Sequence, residues 1–240
     1  MSASSDVAVQ VMTAAAQQLA LENTLLVGGH TMADQEDFYL GFAAVGMPIG
    51  PKPFTQAQAQ PDDILILTKP LGTSIATLRW KLEQAADSDH SDVIKGMLQS
   101  NRDAAIFLTK HAVHACTDVT GYGFLGHLYN ILFASGMAAT VSTSKISCYQ
   151  SLAGIPHPDL TRQARFNSEY VSDGLKLSVV PNPLLEALLF DSQVSGGLLI
   201  SVPPEEAEKV FDGLQGVGYS PRMVGKVCSG EKKGAIELVD

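Results

Sequence analysis

Three glycines in six residues, Gly121, Gly123 and Gly126, separate an apolar run that ends at Asp118 from another that starts at Phe124. A strand that meets such a segment must turn sharply or admit a close neighbour, because glycine reaches left-handed backbone at little steric cost and leaves no Cβ in the way. The stretch "CTDVTGYGFLGH", residues 116–127, therefore predicts a strand, a tight turn and a helix in that order. Any fold open to this chain has to set a strand end beside a helix start there. Such a junction is a place where a ligand can approach the backbone.

The same alternation recurs on both sides of the turn. "DILILTKPLG" predicts a buried strand stopped by Pro70, and "TSIATLRWKLEQAA" predicts a helix through Ile75, Leu78 and Leu82. "SDVIKGMLQSNRDAAIFLTKHA" predicts one or two helices, "VHACTDV" the strand before the turn, and "FLGHLYNILFAS" a helix closed by Gly136. Then come a strand near 138–142, a helix from Pro183 to Phe190, a strand in "GLLISV", a helix opened by "PPEE", and strands near 222–228 and 235–239. At the start of the chain, Val7, Val11, Ala15 and Leu19 mark the apolar face of a helix from about Asp6 to Glu22, which is expected to pack on a sheet. "NTLLVGGH" and "FYLGFAAVGMP" predict two short strands around a polar loop at 30–37. "PIGPKPFTQAQAQPDD" holds four prolines and no apolar period, so it reads as a connection and places a domain boundary near residue 60. The class is mixed α and β.

A chain of 240 residues with 45% hydrophobic and 17% charged content is long enough for one large or two small globular domains. Its net charge of −9, without any basic stripe, argues against a nucleic-acid surface. If the chain handles phosphates, local chemistry has to overcome the global sign. Cys116, Cys148 and Cys228 are far apart and form no C-x-x-C pair, so neither a disulfide framework nor a zinc site is indicated and a reducing cytoplasm is expected. The first apolar stretch has no basic lead and falls far short of the ~18 consecutive apolar residues of a span, so neither signal peptide nor membrane segment is expected.

Asp118, after a strand and before the glycine turn, is a candidate hard-oxygen ligand, because Mg²⁺ typically takes one or two carboxylates with substrate phosphate oxygens. On the same residues it is equally a candidate Asx-turn or helix cap. Gly28 and Gly29 follow an apolar stretch and precede His30, so the backbone there can approach a phosphate or base, with a tight turn as the simpler reading. "DSQVSGGLLI" reads first as a helix-to-strand connection. His111, His114 and His127 lack the spacing of a metal motif and read as surface or satisfied histidines, and Cys116 reads as packing.

Taken together and in order, "GGHTM", "LTKPLGTS", "CTDVTGYGFLGHL" and "DSQVSGGLLI" resemble selenophosphate synthetase, also called selenide, water dikinase, of the aminoimidazole-ribonucleotide-synthetase-like superfamily. The resemblance runs over nearly the whole chain, and the D-V-T-G-x-G-F-L-G-H run is its specific element. It implies an α+β fold in which residues 1–60 end a ferredoxin-like amino-terminal ATP-binding domain and residues 61–240 form a mixed α/β carboxy-terminal domain. It implies synthesis of selenophosphate from selenide, ATP and water, with release of AMP and orthophosphate, in a homodimer that serves selenocysteine biosynthesis. It also implies Asp118 as a Mg²⁺ ligand beneath the ATP phosphates, and Gly28, Gly29 and His30 in a nucleotide-contacting segment. Family members carry a glycine-rich loop with a Cys or selenocysteine and a Lys, then two more metal-binding aspartates, upstream of everything matched here. No catalytic residue of the chain answers to that loop, and "MSASSDVAVQVMTAAAQQLALEN" reads as one helix leading into a strand. Ser192 and Val194 stand where the family's D-P-Q-T-S-G-G has Pro and Thr. Two expectations follow: an incomplete synthetase inactive on its own, or a degenerate, accessory chain that keeps the carboxy-terminal scaffold for association.

Overall fold

A computed structural model describes residues 5–30, 39–82, 86–155, 158 and 160–240, in two compact units, Met1–Met47 and Pro48–Asp240. Among its described residues the smaller unit contains one helix, α1 (Ser5–Leu21), none of whose described residues is buried. The two strands expected on either side of the loop are absent among the described residues, and residues 24–27 and 39–45 carry no regular structure. The reason is physical. An apolar extended segment becomes a strand only when a neighbour takes its amides and carbonyls, and here Leu25, Val27 and Val45 are 81%, 91% and 102% exposed. With no strand among the described residues of its unit, α1 meets no sheet there among them. The expected polar loop falls, but for His30, outside the described residues.

The larger unit is built on strands and helices close to those the periodicity predicts. In chain order they are β1 (Ile64–Leu67), α2 (Thr73–Lys81), α3 (Ser91–Leu98), α4 (Arg102–Leu108), β2 (Ala115–Asp118) and α5 (Gly123–Ser135). They continue with β3 (Ala138–Ser142), α6 (Arg162–Val171), β4 (Leu175–Leu177), α7 (Pro183–Phe190), β5 (Leu198–Val202), α8 (Pro204–Gly216), β6 (Arg222–Cys228) and β7 (Ile236–Val239). Helix α6 and strand β4 lie in a stretch where no clear period shows. The cap of α6 is nonetheless chemical, since Thr161 accepts the amide of Ala164 through Oγ1. Gly136, at φ 71°, ends α5 in the left-handed conformation expected of it.

The seven strands form one mixed sheet in the order β2-β5-β1-β6-β3-β7-β4. β5, β1, β6 and β3 pair antiparallel in sequence, β2 lies antiparallel against β5, and β7 runs parallel to both β3 and β4. Period-two alternation sends Leu65 and Leu67 of β1 to one face and Ile64 and Ile66 to the other. The first face is covered by α2, α3, α5, α6 and α7, the second by α4 and α8. The architecture is α+β, with helices on both faces of a mixed sheet. All three cysteines are free thiols. No helix among the described residues is long and apolar enough to cross a membrane.

The proline-rich stretch belongs to this unit and closes the outer edge of the sheet. The amide of Cys116 in edge strand β2 donates to Thr55 O at 2.8 Å, Gln56 Nε2 donates to Thr117 Oγ1 at 3.1 Å, and Ala59 is buried. An edge strand left bare would offer its ladder to other chains. Helix α5 carries much of the first core, with Phe124, Leu125, Leu128, Ile131 and Leu132 fully buried, while Phe133 on its outer side is 56% exposed. Burial predicts very different costs along this one helix. Phe124→Ala should destabilise the chain by about 3–5 kcal/mol and Phe133→Ala by less than about 1 kcal/mol. Urea unfolding of the two variants measures the difference.

Candidate functional site

The glycine turn follows β2 directly, and its backbone is held on all sides. Val119 N–H donates to Gly197 O at 2.9 Å, Thr120 N–H to His127 Nε2 at 3.0 Å, and Gln193 N–H to Thr120 O at 2.9 Å. Asn167 Nδ2 reaches Gly121 O at 3.0 Å and Phe190 O at 2.8 Å, so α6 clamps both the turn and the end of α7. Because Nε2 of His127 accepts, the ring is the neutral tautomer with hydrogen on Nδ1. Burial lowers the His127 pKa against the opposing pull of Asp118, which keeps that tautomer in place.

Two other loops lock onto this one. Gln193 Oε1 accepts from the amides of Gly72 and Thr73 at 2.9 and 3.2 Å and from Thr73 Oγ1 at 3.2 Å, while Thr73 Oγ1 takes the Val194 amide at 2.7 Å. Ser74 Oγ donates to Ser192 O and lies 3.0 Å from Ser192 Oγ. The Ser192 hydroxyl, which stands where the resembled family has Pro, thus meets a partner. Lys69, 2% exposed, donates from Nζ to Gly96 O, Gln99 O and Ser195 O at 3.2, 2.5 and 3.1 Å. Burial pulls its pKa down to about 8. Asp191, fully buried, accepts from the Thr161 hydroxyl and the Ser192 amide through Oδ1, and burial raises its pKa.

Most of the motif glycines answer to this packing. A Cβ on Gly123, at φ 68°, would fall 2.5 Å from Phe190 O, one on Gly196 would lie 2.0 Å from Val119 O, and one on Gly197 2.7 Å from Lys69 N. These residues exist so that chain can touch chain. Gly121 differs, because a Cβ there meets nothing within 4 Å.

Asp118 closes β2 opposite Leu198 and is exposed. Among the described residues no hydrogen bond or ion pair takes its carboxylate. It does not cap α5 either, whose N-terminal cap position is Tyr122 without a side-chain bond. The fold holds the Asp118 backbone rigidly and leaves its carboxylate to solvent beside the open face of Gly121. Gly28, Gly29 and His30 lie in the other unit, exposed, outside any helix or strand, with nothing within 4 Å of a Cβ built on either glycine. "DSQVSGG" is the helix-to-strand connection expected, between α7 and β5. Cys116 is packing, its thiol buried and pushed up to about 12 by that burial and by Asp118. Sequence reasoning missed Asn167 and Lys69, both of which hold the turn's neighbourhood. A lysine in the middle of a buried strand end was the available signal for the second.

A family profile described as AIR synthase related protein, C-terminal domain, matches residues 60–237. The chain belongs to that family. The selenide, water dikinase 2 of Peptoclostridium acidaminophilum is 31% identical over 231 residues, which cover 95% of this chain and 66% of the relative. The selenide, water dikinase of Pelobacter propionicus is 36% identical over 205 residues, covering 85% of this chain and 59% of the relative. The resemblance carried by the four motifs is thus met by relatives of that name, and the chain spans about three fifths to two thirds of their length. Among solved structures, thiamine-monophosphate kinase from Stenotrophomonas maltophilia superposes with a TM-score of 0.57 at 14% identity, over 77% of this chain and 52% of that one. The hydrogenase maturation protein HypE in complex with ATP gives 0.52 at 18% identity, over 77% and 49%. Both likenesses concern the fold.

The site's division of labour predicts opposite outcomes for neighbouring residues. Asp118→Asn should leave the urea midpoint unchanged within error, since the carboxylate supports no contact. Lys69→Ala, which strips an ammonium from three buried carbonyls, should cost about 2–4 kcal/mol. Comparable losses in both variants would contradict the reading of Asp118 as structurally idle.

Proposed function

We propose that the chain is the carboxy-terminal portion of a selenophosphate synthetase, an enzyme that transfers one phosphoryl group of ATP to selenide and a second to water, releasing AMP and orthophosphate. One observation carries the reading: in a motif whose backbone is held by the neighbouring loops, the Asp118 carboxylate is exposed and takes no hydrogen bond or ion pair among the described residues. A buried or paired aspartate would be explained by stability, and an exposed one on a rigid strand end is available to a ligand.

The donor chemistry fits Mg²⁺ in a limited sense. Among the described residues no group of three His, Cys, Asp or Glu side chains is placed to hold a metal. A lone carboxylate suits an ion that keeps its waters and takes phosphate oxygens, rather than one that needs a cage of protein ligands. In this reading Asp118 holds Mg²⁺ beneath the nucleotide phosphates, and the ion supplies positive charge that a chain of net charge −9 lacks. The bonds from His127, Gln193, Asn167 and Gly197 fix the turn so that Asp118 does not move as the phosphoryl group leaves. The open space at Gly121 admits a bulky polyphosphate. Gly28 and Gly29 contact nucleotide through a backbone that no Cβ obstructs, with His30 beside them in the same segment. Residues 1–60 complete an amino-terminal ATP-binding domain of ferredoxin-like form, 61–240 are the carboxy-terminal domain, and the working unit is a homodimer in the cytoplasm. The exposed apolar residues at 25–27 and 39–49 support that association, since patches of this kind in soluble proteins mark surfaces that meet other chain.

A second reading, an accessory chain that keeps the scaffold for association only, rests on the same lone carboxylate. One residue cannot neutralise a transferring phosphoryl group. Both readings predict that the chain alone releases no AMP from ATP in the presence of selenide. They part when an amino-terminal segment with the Cys and Lys loop is supplied: a synthetase portion should then restore selenide-dependent AMP release. Asp118→Asn should abolish that release, and Gly29→Val should weaken binding of a nonhydrolysable ATP analogue at least tenfold. Release by the isolated chain, or unchanged turnover with Asp118→Asn, contradicts the proposal; no release with the segment present favours the accessory reading.

A further inference from the structure

The ladder that orders β2 stops short of Asp118. Leu198, the residue opposite it in β5, accepts the Thr68 amide through its carbonyl at 2.9 Å and donates its own amide to Thr68 Oγ1 at 2.8 Å. Both backbone groups of Leu198 are thus spent on Thr68, just past the end of β1, and the carbonyl of Asp118 has no partner in Leu198. It is taken from the side instead: Thr117 Oγ1 donates to it at 3.1 Å, from a residue 6% exposed. A hydroxyl that gives up its one proton has only lone pairs left to offer. The group that meets them is Gln56 Nε2, at 3.1 Å, from the proline-rich stretch along the sheet edge. The relay therefore runs from the Gln56 amide through the Thr117 hydroxyl to the Asp118 carbonyl. The peptide that joins Asp118 to Val119 is held on both sides, since its N–H donates to Gly197 O at 2.9 Å.

The rest of the proline-rich stretch closes the edge without help from the Gln56 side chain. The carbonyl of Thr55 meets the Cys116 amide, and Ala59 is buried with its own amide on Ser135 Oγ at 3.0 Å. Gln56 is exposed, and what its side chain adds is a hold on one hydroxyl. We propose that Gln56 is a positioning residue for the Asp118 carboxylate, acting through the Thr117 hydroxyl. Rotation of a peptide at a strand end swings the side chain of the same residue, and outer bonds of this kind orient the group that touches a metal. The relay reaches across 61 positions of sequence, so local spacing does not reveal it. The inference rests on the proposed Mg²⁺ role of Asp118 and gives the stretch read as a connection a second task, at the site.

Three variants of the full, isotopically labelled chain test it by nuclear magnetic resonance. Gln56→Met keeps the length of the side chain and removes the donor, Thr117→Val removes the hydroxyl at nearly constant shape, and Thr117→Ser restores it. The Asp118 carbonyl-carbon signal should move in the first two and return in the third. Mn²⁺ alone, read through broadening of the Val119 and Thr120 amide signals, should be needed at about tenfold higher concentration in Gln56→Met and in Thr117→Val, and at the parental concentration in Thr117→Ser. Combining Gln56→Met with Thr117→Val should cost no more than either alone, because both cut one relay. The urea midpoint of Gln56→Met should stay within error of the parent, which separates positioning from support of the fold. An unmoved carbonyl signal in Gln56→Met, an unchanged Mn²⁺ requirement, additive losses in the double variant, or a urea midpoint that falls along with metal binding overturns the proposal. Parental chain in which Mn²⁺ broadens neither amide refutes the metal reading of Asp118 itself, and the proposal falls with it.

Discussion

A lysine with 2% of its surface exposed is costly to bury unless oxygens surround its ammonium, and Lys69 finds three, from Gly96, Gln99 and Ser195. Those carbonyls come from the end of α3, the segment after it, and the loop before β5. The ammonium therefore fixes three backbone segments at once, and Gln193 repeats the arrangement with its amide oxygen against Gly72 and Thr73. With these two side chains in place, the loop before β5 lies close enough to the glycine turn for Gly196 and Val119 to touch. The glycines at 123, 196 and 197 are the steric counterpart of that polar knot, since a Cβ at any of them would strike backbone.

The consequence for function is an economy of freedom. Polar side chains in the turn and its two partner loops hold one another, and a fixed network of this kind makes a rigid base. Asp118 stands at its rim with a placed backbone and an unengaged carboxylate. That contrast between committed neighbours and one idle charge separates a ligand-binding reading from a capping one, because a cap would appear as a bond to the helix amides and α5 has none from a side chain. The titratable groups at the other end of β2 have the reverse character: the carboxylates of Glu206 and Asp63 are engaged by His111 and His114.

Much of the larger unit was legible in the sequence because apolar period and turn chemistry agree there. β1, α5 and α7 follow from "DILILTKP", Gly136 and Asn182-Pro183, where Asn182 does cap its helix through the Leu185 amide. Helix α6 was hidden since its buried side chains, Ala164, Asn167 and Val171, include a polar one whose role is to hold Gly121 and Phe190 carbonyls. The strands expected near residues 24–27 and 38–45 are absent among the described residues for a different reason: local pattern specifies an extended apolar segment, but only a neighbour makes it a strand. Asp118 was singled out from its position, and the absence of a side-chain bond to the α5 amides removes the cap alternative, while the ligand role is the proposal made above. The pairing of His111 with Glu206 spans 95 residues and that of His114 with Asp63 spans 51, so neither is visible in local spacing.

The central claim is that the knot of three loops delivers the Asp118 carboxylate to a nucleotide-bound metal ion. The most direct measurement is nuclear magnetic resonance of the isotopically labelled chain, combined with the amino-terminal segment of its relatives, with Mn²⁺ replacing Mg²⁺ on a nonhydrolysable ATP analogue. The account predicts that amide signals of Val119, Thr120 and Gly121 broaden with added Mn²⁺ and recover in Asp118→Asn. Sharp signals at those three residues in the presence of bound Mn²⁺-nucleotide would contradict it.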